Sequence, residues 1–297
     1  METAVDRGRA AAAAPELHVG CPMWAHKPWW GRHLPEGLGR NDQLAAYATW
    51  CNAVEGNTTF YGAPSPATVA SWAEQAPPGF RFAFKLPRSV THDRRLRDAA
   101  DETAAFCRLL EPLGDRADPV TVQLPASFGP PQMGDLSRFL AGAPASHRWA
   151  VEVRHPDFFT RPAVARALER VLARHDAEWV GFDTVTLFAT PPRDQAEREA
   201  WTSKPRVPRR IGALTDRPVV RFIGRDDPEA TAQGWQPWLA VVRDWLTEGR
   251  RPLFFVHTPD NIDALPLARR FHQEVAALVP GLAPLPAPRR PAPATLF

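Results

Sequence analysis

The chain has 297 residues, 44% of them hydrophobic, with a formal charge of +3 and a pI near 9.0. This length and apolar share allow a sizeable core in one large domain or two ordinary ones, and they exclude global disorder. The mild basic excess is mostly arginine scattered among acids, which by itself is weak ground for a nucleic-acid surface.

Residues 1–16 read as a polar, Ala-rich, flexible extension. The alanines at 10–14 are too few for a signal-peptide core, and the charges before them are mixed (Glu2 and Asp6 against Arg7 and Arg9). Eight short apolar runs follow: LHVGCP from Leu17, AVEGNTTFY from Ala53, FRFAFKLP from Phe80, PVTVQLP from Pro119, WAVEVR from Trp149, EWVGFDT from Glu178, PVVRFIG from Pro218 and PLFFVHT from Pro252. Near-continuous runs of this length suit strands buried on both faces of a parallel sheet. Helical spacing predicts helices between them at 42–51, with Asn41 or Asp42 as N-cap, and at 66–75, with Ser65 as N-cap and Pro66 in the first turn. Further helices are predicted at 101–111, 132–141, 161–174, 236–246 and 262–278, the last tolerating Pro266 only near its start. Between the sixth and seventh strands, residues 189–217 are basic and interrupted by prolines, leaving room for at most a short helix near 193–201. From Gly281 the chain is Pro-rich and aperiodic, which predicts an extended, flexible tail. Strands alternating with single helices imply right-handed βαβ units. Eight of them predict an α/β fold, a single TIM-barrel-like (β/α)8 domain over 17–280 with a reduced sixth helix.

Seven of the eight strands carry polar groups that a buried strand should avoid: Glu55, Lys85, Gln123, Glu152 with Arg154, Asp183, Arg221 and His257. Such groups are costly when buried unpaired, so their simplest common explanation is convergence on one polar site. Side chains alternate along a strand, which puts Glu55 and Asn57 on one face and Glu152 and Arg154 on one face. In a barrel these positions face the C-terminal mouth, where active sites form. The alternative is an internal salt-bridge network that only fixes strand register.

Glu55 and Glu152 are the general acid/base candidates, with Lys85, His92 and Asp183 as further catalytic candidates. Lys85, Arg154 and Arg221 suit an anionic group, arginine through its bidentate fork. Gln123, His155 and His257 join the binding set, and Trp24, nearest the first strand among Trp24, Trp29 and Trp30, is the candidate ligand platform. No H-E-x-x-H or comparable spacing marks a metal site, and no Gly-rich loop marks a nucleotide, so no metal is assigned and the cofactor is left unknown. Cys21, Cys51 and Cys107 lack C-x-x-C spacing, which fits a reducing compartment. No apolar run approaches the ~20 residues of a membrane span. A soluble cytoplasmic protein without a membrane partner is expected.

The segment VEGNTTFYGAPSPATVASWAEQAPPGFRFAFKLPRSVTHDRRL resembles the signature of the YecE-like family, the domain of unknown function numbered seventy-two. The carrying residues are Glu55, Asn57, Phe60, Tyr61, Trp72, Lys85, Thr91 and His92, followed by the Q-L-P at Gln123, the V-E-x-R-H-P from Val151, Asp183, and Arg221 with Gly224. The resemblance spans roughly 17–279, implies a TIM-barrel-like fold, places Tyr61 with Asn57 among the binding residues, and implies no reaction. Two stretches depart from the commonest family pattern: Gly20 to Trp24 replaces G-T-S-G-W, and His257, Thr258 and Asn261 stand where paired asparagines are usual. Both departures fall on loops of the mouth, which leaves room for a different substrate. The expectation is an enzyme working by acid/base chemistry on a small anionic or sugar-like metabolite, with hydrolase, lyase and isomerase chemistry all open. The rivals are a nucleic-acid-binding or processing barrel using the Trp loop and the arginines of 193–217, and a non-catalytic ligand-binding protein.

Overall fold

The computed structural model describes residues 14–291. Nine parallel strands form one sheet: β1 (His18–Cys21), β2 (Ala53–Gly56), β3 (Arg81–Lys85), β4 (Ala117–Gln123), β5 (Trp149–Glu152), β6 (Glu178–Trp179), β7 (Gly181–Asp183), β8 (Val219–Ile223) and β9 (Leu253–His257). Their order is β6-β5-β4-β3-β2-β1-β9-β8-β7. The two ends of that order are consecutive in the chain, parted only by Val180, so the predicted sixth strand enters as two pieces and joins the sheet's edges into a barrel. The expected TIM-barrel-like α/β architecture is therefore what the chain adopts.

Close packing explains several local choices. At Gly20 on β1 an added Cβ would lie 2.1 Å from the Ala53 carbonyl oxygen, so no larger residue fits between β1 and β2. The helix at Pro66–Gln75 starts as predicted, with the Ser65 hydroxyl accepting from the Thr68 N–H at 3.2 Å and Pro66 in its first turn. The helix expected at 42–51 runs instead over Arg40–Tyr47 with Gly39 at its N-cap. Additional short helices at Asp157–Thr160 and Pro228–Gly234 begin loops after β5 and β8, the second capped by Asp227. Outward strand residues meet helix aromatics: Phe84 stacks on Trp72 at 5.5 Å, and Phe254 on Phe271 at 3.8 Å.

Two regions differ from expectation. The described part of the Pro-rich tail is held against the barrel: Arg289 donates its N–H to Thr49 Oγ1 at 2.8 Å, its carbonyl accepts from Trp50 Nε1 at 3.3 Å, and Leu285 is buried. Composition signals a tail without regular structure but carries no information about such docking. The expected N-terminal extension lies almost wholly outside the described residues, as does the end of the tail. In the irregular sixth unit the helix is Gln195–Ser203, and it sits over the barrel mouth instead of against the outer wall. Among the described residues no helix is long and apolar enough to cross a membrane.

Candidate functional site

Inside the barrel, five strands change character toward their C-terminal ends. Ala53 is followed on the same face by Glu55, Ala83 by Lys85, Ala150 by Glu152, Val219 by Arg221 and Phe255 by His257. The lower residues, with Val180 and Leu253, form a small buried apolar cluster. The upper ones form a charged layer closing the barrel's top.

Arg221 is the centre of that layer. Its Nη2 donates to Glu55 Oε2 at 3.0 Å and its Nη1 to Glu152 Oε2 at 2.5 Å, while its Nε faces Glu55 Oε1. Arg154 completes the pairing by donating from Nε to Glu152 Oε1 at 2.7 Å. Both guanidinium carbons lie 5.5 Å from the Phe182 ring. Glu55 Oε2 also accepts from Asn57 Nδ2 at 3.0 Å and lies 3.2 Å from His257 Nε2. Glu55, Glu152 and Arg221 are each at most 3% exposed.

Burial favours protonation of both glutamates, but the cations outweigh it. Arg221 and Lys85, with the His257 imidazole beside it, hold the Glu55 carboxyl well below the usual range. Arg221, Arg154 and Lys85 hold Glu152 at about 2. Arg221 is raised above the usual guanidinium range because Glu152 and Glu55 prevail over its burial. At neutral pH these three groups are a fixed ionic triad, which stores no exchangeable proton.

Lys85 stands apart. Its Nζ donates to the neutral Gln123 Oε1 at 2.7 Å, and no carboxylate pairs with it among the described residues. Desolvation, then repulsion from Arg221, brings its ammonium down to about 7 against the partial pull of Glu55 and Glu152. His257 is brought down to about 4 by burial and Arg221, and is neutral at pH 7.

Above this layer opens a cavity of about 390 Å³, lined among others by Asn57, Tyr61, Lys85, Gln123, Arg154 and Arg221. His257, Thr258 and Asn261 also line it, with Pro22 and Met23 from the loop after β1, so both departures from the common family pattern lie on its wall. The opposite wall is the helix Gln195–Ser203 and Lys204. Arg225, buried beyond β8, pins this helix by donating to Glu197 Oε2 at 2.5 Å and to the Thr190 and Pro191 carbonyls. Lys204 is brought down to about 8 by burial and by Arg221 and Arg154.

Of the residues singled out from the sequence, Glu55, Asn57, Tyr61, Lys85, Gln123, Glu152, Arg154, Arg221 and His257 gather here. Glu55 and Glu152 lie beneath the cavity without lining it, and four other residues lie outside this assembly. Asp183 is on the outer face, where Oδ2 accepts from Trp238 Nε1 at 2.7 Å and Arg209 Nε at 2.6 Å; the inward position of that strand belongs to Phe182. Trp24 packs edge-on against Trp72 at 5.1 Å and Phe82 at 6.4 Å, outside the barrel, so the ligand-platform expectation is corrected. His155 accepts the Asp157 N–H at 3.2 Å within its own turn. His92 sits behind the cavity wall, edge-on to Phe60 at 5.0 Å, and burial lowers its imidazole. Sequence reasoning missed Lys204 and Arg225. Four of the six arginines of the sixth unit are engaged internally: Arg193 pairs with Asp227, Arg209 with Asp183, Arg210 with Glu169 and Arg217 with Asp118. Among the described residues no three His, Cys, Asp or Glu side chains gather as a metal-holding group. The three cysteines are free and buried.

Residues 18–292 match the family model described as protein of unknown function DUF72. The UPF0759 protein YecE of Escherichia coli (strain K12) is 35% identical over 271 residues, covering 91% of this chain and 97% of the relative. Among solved structures, a DUF72 family protein from Thermotoga maritima MSB8 superposes with a TM-score of 0.66 at 23% identity, covering 87% of this chain and 98% of that one. A DUF72 family protein from Enterococcus faecalis V583 gives a TM-score of 0.64 at 18% identity, covering 89% and 97% respectively. These likenesses carry the fold.

Proposed function

This chain belongs to the DUF72 family, and we propose that it is an enzyme acting by proton transfer on a small anionic metabolite held in the barrel mouth. The observation that carries this reading is the state of Lys85: a buried amine facing a polar cavity, bonded to an amide and not to a carboxylate, and titrating at about 7. A general base or acid works best when its pKa is near the operating pH. Arg154, Arg221, Lys204 and Lys85 all line the cavity, against Glu199 as its one lining carboxylate among the described residues. An anion entering there relieves the mutual repulsion of these cations.

In this reading Glu55 and Glu152 change role. Both are locked as anions, so they set the orientation and field of Arg221 and Arg154 while Lys85 moves the proton. The cavity size suits a ligand at the small end of metabolite pockets, which run from ~300 Å³ upward.

The test is solvent-proton exchange. The protein is incubated in D2O at pH 7 with a set of phosphorylated and carboxylated metabolites, and deuterium entry at carbon is read by mass spectrometry. Exchange into at least one compound, lost in Lys85→Met, supports the reading. Tight binding of a compound from the set, with no exchange or turnover of any member, makes the protein a non-catalytic binder instead.

A further inference from the structure

The chain fills almost every cationic position with arginine: of 36 lysines and arginines, three are lysines (Lys27, Lys85 and Lys204) and the other 33 are arginines. Two of those three lysines line the same cavity. Arginine is also the choice where a buried fixed charge is needed, as at Arg221 and Arg225. What arginine cannot provide is a neutral amine, because a guanidinium does not lose its proton in a protein. In a chain that so consistently prefers arginine, lysine at positions 85 and 204 points to a need for the amine itself.

The surroundings of Lys85 suit that need. Among the described residues its Nζ has one partner, the Gln123 amide oxygen at 2.7 Å, and the residue is 6% exposed at the cavity wall. The two carboxylates nearest in the charged layer are already taken by Arg221 and Arg154. We propose that Lys85 is a Schiff-base lysine, whose amine condenses with the carbonyl group of a small anionic aldehyde or ketone in the mouth cavity. The proposal rests on the enzyme reading and deepens it, naming the substrate class and adding a covalent step. Lysines desolvated beside other cations are the usual Schiff-base nucleophiles, and a titration near 7 leaves about half the Lys85 amine neutral at that pH.

The step balances without an oxidant or reductant. The Lys85 lone pair adds to the carbonyl carbon, and the carbonyl π pair moves to oxygen and takes a proton. The nitrogen gives up a proton, the hydroxyl is protonated and leaves as water, and a C=N bond forms. Lys204, brought only to about 8 and so mostly protonated at pH 7, faces the same cavity and supplies the proton with which water departs. The substrate's anionic group is held by Arg154 with Arg221. The protonated imine is an electron sink, so the reactions it serves are those that form a carbanion beside it: aldol cleavage, decarboxylation or proton exchange.

The experiment traps the imine. Full-length protein at pH 7 is treated separately with glyoxylate and glyceraldehyde 3-phosphate in the presence of sodium cyanoborohydride, then digested and mapped by mass spectrometry. The expected product is Lys85 carrying the mass of the probe less one oxygen atom. Its rate should exceed that of N-acetyllysine amide by about a thousandfold, the ratio of neutral amine fractions at pH 7 for values near 7 and 10.4. Lys85→Arg, with retained thermal unfolding and circular dichroism, should lose the adduct, and Lys204→Met should slow its formation. Reaction confined to Lys27 and the amino terminus, or a Lys85 rate no faster than the model amide, overturns the proposal. If Lys85-dependent deuterium exchange is found while no adduct is trapped, the covalent step fails and the proton-transfer reading stands. If neither is found, both fail.

Discussion

Replacing Lys85 with methionine should make the protein more stable at pH 6. In the folded chain the ammonium titrates at about 7 instead of 10.5. Each unit is worth about 1.36 kcal/mol, so keeping this group charged in the barrel costs roughly 5 kcal/mol below pH 7. Lys85 is 6% exposed, so solvent screening takes little from that figure. Methionine has a similar reach and no charge. Its introduction leaves the buried Gln123 oxygen without a donor, a loss of about 1–3 kcal/mol. The balance is a gain of about 2–4 kcal/mol, or roughly 4–8 °C in Tm for a chain of this size. The pH dependence has a definite sign. Between pH 7 and 10.5 the unfolded chain holds the lysine proton and the folded chain does not, so wild-type stability rises across that window relative to Lys85→Met. Above it the order reverses, the variant keeping only its lost hydrogen bond. Thermal unfolding of both proteins from pH 6 to 10.5 is the assay. A variant less stable than wild type at pH 6 refutes the claim that the charged amine is under strain in its site.

Three other outcomes follow from the same geometry. Glu152→Gln leaves Arg154 and half of Arg221 without a counter-charge, which should cost about 3–5 kcal/mol in denaturant unfolding. It should also move the Lys85 titration below 7, since Glu152 helps to hold that proton. His257 falls from 6.5 to about 4 on folding, so its contribution is intact above pH 6.5 and about 3 kcal/mol is lost as pH falls to 4; His257→Gln should flatten that part of the acid unfolding curve. Truncation after residue 281 removes the tail's bonds to Thr49 and Trp50 and that of Arg269 to the Leu285 carbonyl. Thermal unfolding should show a loss of roughly 2–4 kcal/mol at about 1 kcal/mol per bond.

How much of this was legible in the sequence depends on the reach of each signal. Period-two alternation on a parallel strand is local, and it placed Glu55, Lys85, Gln123, Glu152, Arg154, Arg221 and His257 on the inner face. The same alternation, followed through EWVGFDT, would also have excluded Asp183: with Val180 and Phe182 inside, Asp183 faces the helix that carries Trp238. Polarity on that strand is no inward signal, because a buried outward carboxylate is satisfied instead by an indole and a guanidinium. Trp24 is near the first strand in the chain, but its neighbours Trp72 and Phe82 are non-local, and no spacing reveals them. The sixth helix lies across the mouth because Arg225, distant in sequence, binds Glu197, so its place is a tertiary fact. Lys204 did carry a local mark, as one of three lysines in the chain.

Among the described residues two carboxylates serve Arg221 and none serves Lys85, and this uneven allocation can be reversed by a single atom-for-atom change. Gln123 is paired in register with Glu152, and its Oε1 accepts from Lys85 Nζ at 2.7 Å. Gln123→Glu puts a carboxylate oxygen in that place. At an effective dielectric of about 20, an ion pair at such a distance is worth roughly 6 kcal/mol. That corresponds to about four pKa units, enough to undo the fall from 10.5 to about 7. Repulsion from Glu152 is muted because Arg154 and Arg221 already neutralise it. The variant should therefore fold, keep its cavity, and hold Lys85 charged at pH 7. With only three lysines, 13C-labelled ε-methylene signals can be followed one by one through a pH titration. Wild type should show one midpoint near 7 and one near 8; Gln123→Glu should send the first above 10 and abolish exchange and imine trapping together. A Lys85 midpoint that stays near 7 in this variant would mean that desolvation alone sets it, and that the missing carboxylate is not the device that frees the amine.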